Sequence, residues 1–477
     1  MRIVVVGGGT SGWIVTHYLS KTHNCTNIST KEIPTIGVGE GTTGKFPDIF
    51  NINKTDLMIE LNALPKLGIK FEGWSNTRDY FWSPIDGSAT ANYYIDYSTF
   101  SNYFTDSIPL SCSQYSVLME LGKTNYSLES NFLVGNWDHH ALHIDAYKTA
   151  EYFKKISLDS GAVHVEAKVV KVNRNNNSIT SLELDNGSTI TADVFIDCSG
   201  FSRVLNNHLE WIDYSEHLPV NSALVYSTEE TVKKPYTVAK AMKYGWTWEI
   251  PTRYKTGRGY VYCDKYASED DILYELGDVE KIKSIKFKSG RIKNFIDSNC
   301  VSIGLSSGFL EPLQATSIHC ALIQLELFYY SFPTVESLLC EQSITRYNHL
   351  ISKLYDDMKD FVSLHYTGGK TDSKFWKDIR CTDRVNEILN ICKSRLLRSF
   401  DFDHVSGTVK QESWNPILSG LGHFDKSLIS DVFVSDGATI HWWIDKTNEF
   451  YQEVSEVSKD FLTPEQLNAI IISNVSG

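Results

Sequence analysis

Arg2 to Ser20 read "RIVVVGGGTSGWIVTHYLS", an apolar run that passes straight into glycines and then into helix-compatible residues. Ile3 to Val6 show no alternation, which marks a strand covered on both faces, as in a parallel sheet. Gly7, Gly9 and Gly12 supply the G-x-G-x-x-G spacing at the strand-to-helix junction. Glycines there permit the tight turn, bring the backbone around Thr10 and Ser11 close to a pyrophosphate, and let the helix pack tightly. Glu32 stands twenty residues past Gly12, where an acid would hold a ribose hydroxyl. These features predict an α/β dinucleotide-binding module that starts with the first strand.

Further elements extend this frame. Asp145 to Leu158 read as a helix. "VHVEAKVVKVN" and "SITSLELDNGSTITA" follow as an antiparallel excursion with a hairpin turn at Asn186-Gly187. The chain then returns to a buried strand, Val194 to Cys198, ending beside the presumed cofactor edge. "CVSIGLSSGFLEPLQATSIHCALIQLELF" gives another strand, a loop and a helix that Thr316 or Ser317 could cap; its first N–H groups would suit an anion, or the stretch is a plain helix start. Gly39, Gly41 and Gly44 repeat the glycine spacing but follow no comparable strand and read as a tight loop. Near the C-terminus, Thr463, Pro464 and Gln466 form a capping box for a last helix.

At 477 residues the chain exceeds one ordinary core, which predicts two modules. The net charge of -13 and the lack of a basic stripe exclude a nucleic-acid binder. Nine scattered cysteines without a Cys-x-x-Cys pair suggest neither a disulfide framework nor a metal site, and fit a reducing, cytoplasmic setting. No apolar run has the length of a membrane span, and the early strand leaves no room for a signal segment.

Two short stretches carry further information. In "GWTWEIP", Gly245 to Pro251, side chains two apart share a face, so Trp246, Trp248 and Ile250 build one apolar wall while Thr247 and Glu249 point away. In "LPKLGIKFEGW", alternation puts Leu67, Ile69 and Phe71 on one face and Lys66, Gly68, Lys70 and Glu72 on the other. Nothing local separates Lys66 from Lys70.

Taken together, the motifs "GGGTSGW" (Gly7 to Trp13), "IGVGEGT" (Ile36 to Thr42), "LGIKFEGW" (Leu67 to Trp74), "HIDA" (His143 to Ala146), "FIDCSG" (Phe195 to Gly200), "GWTWEIP", "NCVSIGLSSGFLEPL" (Asn299 to Leu313) and "DFVSLHY" (Asp360 to Tyr366) resemble the flavin-dependent halogenases of the tryptophan halogenase type. They occur in family order across most of the chain, and the W-x-W-x-I-P element is the most specific. The resemblance implies an α/β plus α+β fold, with a Rossmann-type FAD-binding module of flavin-monooxygenase type and a mixed-sheet, mainly helical substrate module. It suggests a discontinuous FAD module over 1–50, 141–200 and 300–365, and a substrate module over 51–140, 201–299 and 366–477.

The resemblance also implies an activity: reduced FAD and oxygen convert halide to hypohalous acid, which crosses an internal passage and halogenates an electron-rich ring. By position, the lysine that meets the oxidised halogen is Lys70, with Trp246 and Trp248 as the barrier between flavin and substrate. Thr316 and Ser317 match the halide stretch, with chloride, bromide or iodide as the ion. Ile36, Glu40, Val169, Leu305 and Ile318 match flavin-contacting positions, beside Gly7, Gly9, Thr10, Ser11, Gly12 and Glu32. No metal is implied. With no second nucleotide site, a separate NAD(P)H-dependent flavin reductase is the expected partner, the substrate is a small aromatic, and a homo-oligomer is left open.

Two positions and one segment depart from the family pattern. Gln314 stands where tryptophan halogenases carry a glutamate, and an amide cannot serve as a carboxylate base. Ser317 replaces a glycine. The segment Asp401 to Gly422 lacks a match to the aromatic and acidic elements that grip free tryptophan, which points to another arene. A flavin-dependent aromatic hydroxylase, or a flavin-binding protein with impaired catalysis, are the competing readings; halide-dependent halogen incorporation separates them.

Overall fold

Arg2–Val6 lies at the centre of a six-stranded sheet, and Ile3 to Val6 are buried on both sides as their unbroken apolarity requires. The computed structural model of the chain describes residues 1–32, 39–85, 113–129, 132–135, 140–229, 232–280, 282–395, 397, 399–402, 409, 411–424 and 440–475. The sheet order is Val163–Glu166, Asn24–Ser29, Arg2–Val6, Val194–Asp197, Cys300–Ser302 and Ile296–Asp297. All pairings are parallel except the last. Ile296–Asp297 thus belongs to this sheet although it falls before the boundary expected at 300.

The helix Thr10–Ser20 crosses from the first strand to the second and packs on Ala146–Asp159. Asp145 caps the latter, its Oδ1 accepting from the backbone N–H groups of Tyr147 at 3.0 Å and Lys148 at 3.1 Å. The antiparallel excursion is present as Val169–Asn175, Ser178–Leu184 and Thr189–Ile190. Gly187, at φ 81°, makes its second turn.

A second, seven-stranded sheet runs Lys283–Lys286, Ser222–Thr228, Thr256–Tyr262, Gly245–Pro251, Tyr236–Ala241, Gly68–Glu72, Tyr80–Pro84. It is antiparallel apart from the parallel pair of Tyr236–Ala241 with Gly68–Glu72. One apolar core continues from Ile3 and Val5 in the first sheet to Ile69, Phe71, Trp246 and Trp248 in the second. On the opposite face of the second sheet, Leu67 and Trp82 pack with Tyr115, Leu118 and Val454, which the helices Gln114–Glu120 and Ile440–Val457 carry.

A short three-stranded sheet links the two large ones: Glu40–Gly41, Ala141–Ile144 and Leu64–Lys66. Gly41 therefore lies in a strand rather than in the loop its glycines suggested. The final helix Pro464–Val475 begins with the anticipated capping box: Gln466 N donates to Thr463 Oγ1 and Thr463 N to Gln466 Oε1. Among the described residues, no helix is long and apolar enough to cross a membrane.

Candidate active site

The glycine turn forms a cradle at the C-terminal edge of the parallel sheet. A Cβ on Gly12 would lie 2.1 Å from the Gly7 carbonyl oxygen, and one on Gly7 would lie 2.2 Å from that of Cys198. Helix and strands therefore approach closely only because side chains are missing there. Gly9, the N-cap residue, faces open space, and no side chain caps the helix, so its first N–H groups remain available to a phosphate. Ser11 sits against Gly304, where a Cβ would meet its Oγ at 2.8 Å. Thr10 turns inward, its hydroxyl donating to the Ala146 carbonyl at 3.4 Å, which leaves only its backbone for a ligand.

Asp197 braces the adjoining turn. Its buried carboxylate accepts from Ser199 N, Ser199 Oγ, Leu205 N and Asn206 N at 2.6–3.1 Å. The cradle has the shape and the donors that a dinucleotide needs.

Other sequence-derived positions distribute around it. Leu305 is in the Gly304–Ser306 turn, Ile318 is buried in the first turn of Thr316–Ser331, and Val169 opens its strand, partly covered. Glu32 follows the second strand, exposed and ion-paired with Lys168. Glu40 is partly covered, and its carboxyl is pushed up to about 7, first by loss of water and then by Asp145. Ile36 lies outside the described residues.

Between the sheets stands the aromatic wall. Trp246, Trp248 and Ile250 all face the core, while Glu249 points away to ion pairs with Lys234 and Arg258. The two indole rings lie 6.0 Å apart. Gly259, opposite Trp248 in the register, leaves room for that indole: a Cβ there would fall 2.1 Å from the ring. Trp246 also packs on Trp74 at 6.1 Å and donates its Nε1–H to Glu311 Oε1 at 3.2 Å. Tyr366 donates its hydroxyl to the same carboxyl at 2.9 Å. Burial pushes the Glu311 carboxyl up to about 8, although both donors favour its charged form.

Lys66 and Lys70 occupy opposite environments. Lys66 is 1% exposed, and its Nζ passes beneath Gly41 to donate to the Thr42 carbonyl oxygen at 3.0 Å. No carboxylate pairs with it among the described residues. Burial alone lowers its pKa to about 7. The neighbouring His143 is pushed well down by burial and by the Lys66 charge.

Lys70, the lysine expected to meet the oxidised halogen, lies on the outer face of the seven-stranded sheet. Its Nζ is 3.0 Å from Glu72 Oε1, 4.3 Å over the Tyr80 ring and 5.7 Å over Trp82. That expectation is corrected here, and the cause is a change of sheet. Leu64–Lys66 pairs with Ala141–Ile144, whereas Gly68–Glu72 pairs with Tyr236–Ala241 and Tyr80–Pro84. The chain pivots at Leu67, so Leu67 packs outside while Ile69 and Phe71 pack inside. Alternation does not carry across such a break. Pro65, which lacks an N–H, and Gly68, over which a Cβ would meet Ser83 O at 2.5 Å, were the available signals.

The strand Glu40–Gly41 also packs against the turn Leu313–Ala315. Gln314 and Ala315 both adopt left-handed backbone, at φ 63° and 56°, a strain of roughly 1–3 kcal/mol each that clusters at functional sites. Gln314 Nε2 lies 3.3 Å from Ser83 Oγ and 2.9 Å from His365 Nε2. The helix that follows is not capped by Thr316 or Ser317, as expected, but begins from Ala315 with no side-chain cap. Thr316 Oγ1 is instead buried without a partner among the described residues. Glu311 was a candidate to take the ring proton in place of Gln314, whereas Trp74, His365, Ser83 and Tyr366 were not assigned roles by pattern, since each gains meaning from partners distant in sequence. Among the described residues no group of His, Cys, Asp and Glu could hold a metal ion.

A family model described as tryptophan halogenase matches residues 2–430. The chain belongs to the tryptophan halogenase family. The tryptophan 7-halogenase RebH of Lentzea aerocolonigenes is 31% identical, covering 88% of this chain and 89% of its own. The tryptophan 6-halogenase ThaL of Streptomyces albogriseolus is 30% identical, over 81% of this chain and 80% of its own. The solved tryptophan 6-halogenase SttH of Streptomyces toxytricini superimposes with a TM-score of 0.88 at 25% identity, over 98% of this chain and 99% of that one. Membership makes the protein a flavin-dependent halogenase, an enzyme acting on electron-rich aromatics by electrophilic substitution, with the mixed α/β fold anticipated from its motifs.

Proposed function

We propose that Lys66 receives the oxidised halogen and hands it to the ring of a small electron-rich aromatic. The observation that carries this reading is the Lys66 amine itself: buried, held by the Thr42 carbonyl with no carboxylate beside it among the described residues, its pKa lowered to about 7 by burial. Burial favours the neutral form of this amine, whereas an ordinary lysine is almost wholly protonated at pH 7. A neutral amine is a nucleophile.

Reduced FAD, when bound in the glycine cradle, supplies the electrons with which oxygen oxidises a chloride, bromide or iodide ion to hypohalous acid. A separate NAD(P)H-dependent reductase provides that reduced FAD. Thr316, with its unpartnered hydroxyl, and Ser317 hold the halide at the helix start. Trp246 and Trp248 keep the aromatic substrate away from the flavin and exclude water. The neutral Lys66 nitrogen then attacks the halogen: an N–halogen bond forms, the halogen–oxygen bond breaks, and the departing hydroxide leaves as water with an amine proton. The ring attacks the halogen next, the N–halogen electron pair returns to nitrogen, and the proton shed by the ring restores the amine. This cycle closes without a carboxylate at position 314. Free cysteines among the described residues fit a cytoplasmic site for the pair of proteins.

Lys66→Ala is expected to retain FAD binding and hypohalite formation but to lose arene halogenation by ~10²-fold or more, while Lys70→Ala stays within about threefold. Product analysis by mass spectrometry checks this. Normal halogenation by Lys66→Ala would overturn the assignment.

A further inference from the structure

Gln314 does more than fill the place of a missing acid. His365 is buried against Phe71 at 5.0 Å and Phe361 at 5.1 Å between ring centroids, and its Nδ1 lies 2.9 Å from the Phe361 carbonyl oxygen. A carbonyl only accepts, so Nδ1 must carry the proton. Nε2 is then an acceptor, and the Gln314 group 2.9 Å away must be the amide NH2. The reversed amide would require a proton on Nε2, leaving a bare Nδ1 lone pair facing the Phe361 carbonyl. The second amide N–H goes to Ser83 Oγ at 3.3 Å. Both donors are therefore spent, and Oε1 has no partner among the described residues. Among the described residues no charged group is a cause of the His365 shift: burial lowers its pKa to about 4, against the favourable Phe361 and Val362 carbonyls.

The geometry points to His365 as a positioning residue that locks the Gln314 amide so that its carbonyl oxygen, a pure hydrogen-bond acceptor, is presented to the reacting partners; this rests on the function proposed above. A glutamate at this position would set a carboxylate against the bare Nε2 lone pair, so glutamine is the residue matched to this histidine tautomer.

Labelling the full-length enzyme with 15N-histidine tests the pairing directly. The His365 signal, assigned by its loss in His365→Phe, is expected to show the Nδ1–H tautomer at pH 7. In Gln314→Glu it is expected to become doubly protonated, since the carboxylate then needs a donor. An Nε2–H tautomer in the wild type, or an unchanged neutral ring in Gln314→Glu, would overturn the inference. Kinetics give a second arm. His365→Phe keeps an aromatic ring but offers no acceptor, and should lower kcat for the arene about tenfold with KM and hypohalite formation unchanged. His365→Gln, which restores an acceptor, should recover most of that loss. Equal losses in both variants would reduce His365 to packing and contradict the proposal. A wild-type enzyme that halogenates no arene yet shows the Nδ1–H form would remove the proposed function while supporting the pairing.

Discussion

At the scale of single residues, environment separates groups that local sequence makes equivalent. Lys66 and Lys70 belong to the same short pattern, yet one is buried without a counter-ion among the described residues and the other rests on Tyr80 beside Glu72. Burying an uncompensated amine costs stability. Because burial lowers the folded pKa to about 7, below the ordinary lysine value of 10.5, the unfolded chain holds more protons between those values, and stability from this group rises with pH across that window. Lys66→Met should abolish that rise and stabilise the protein at pH 7 by roughly 2 kcal/mol, after the Thr42 carbonyl loses its donor. Urea midpoints at pH 7 and pH 10 check it; a variant less stable than wild type at pH 7 would contradict the burial argument. Glu311 acts in the opposite sense. Its raised pKa, about 8 against 4.5, gives stability that is lost as pH climbs between those values. Glu311→Gln should flatten that fall, as a pH series of the same midpoints would show.

At the scale of elements, the glycine turn was legible because strand, glycines and helix are contiguous, and its chemistry depends on backbone alone. The lysine was not, because the pivot at Leu67 is decided by which strands lie alongside, Ala141–Ile144 before it and Tyr236–Ala241 after it. The helix start at 316 was misread for a similar reason: the left-handed residues Gln314 and Ala315 turn the chain, and no local preference announces two such residues in succession. The tryptophan wall was legible as one face of a strand, but its support by Gly259 is visible only in the paired register. Gly259→Ala should displace the Trp248 indole, destabilise the sheet by ~1–3 kcal/mol, and raise free hypohalite relative to halogenated arene. Trapping hypohalite with a soluble amine during turnover measures that ratio; an unchanged ratio would show that Trp248 does not confine the oxidant.

At the scale of the whole molecule, the two large sheets share one core, and the small sheet between them carries Gly41 against Lys66. The order of the strands that build the first sheet could be read in part from the motifs. The pairings that assemble the site could not, since Gln314 meets Ser83 and His365, and Trp246 meets Glu311. With one glycine cradle and no second one recognised in the sequence, FAD and NADH alone should give no turnover, while an added flavin reductase or chemically reduced FAD should restore it. Turnover with NADH alone would contradict the expected partner.

The central claim, that halogen resides on the Lys66 nitrogen on its way to the ring, has a direct measurement. The enzyme is given reduced FAD, oxygen and bromide without an arene, and its peptides are mapped by mass spectrometry before any reductant is added. The bromine isotope pair is expected on the peptide at Lys66 and absent from Lys66→Ala. Bromine at Lys70, or no labelled lysine while hypobromite accumulates in solution, would contradict it.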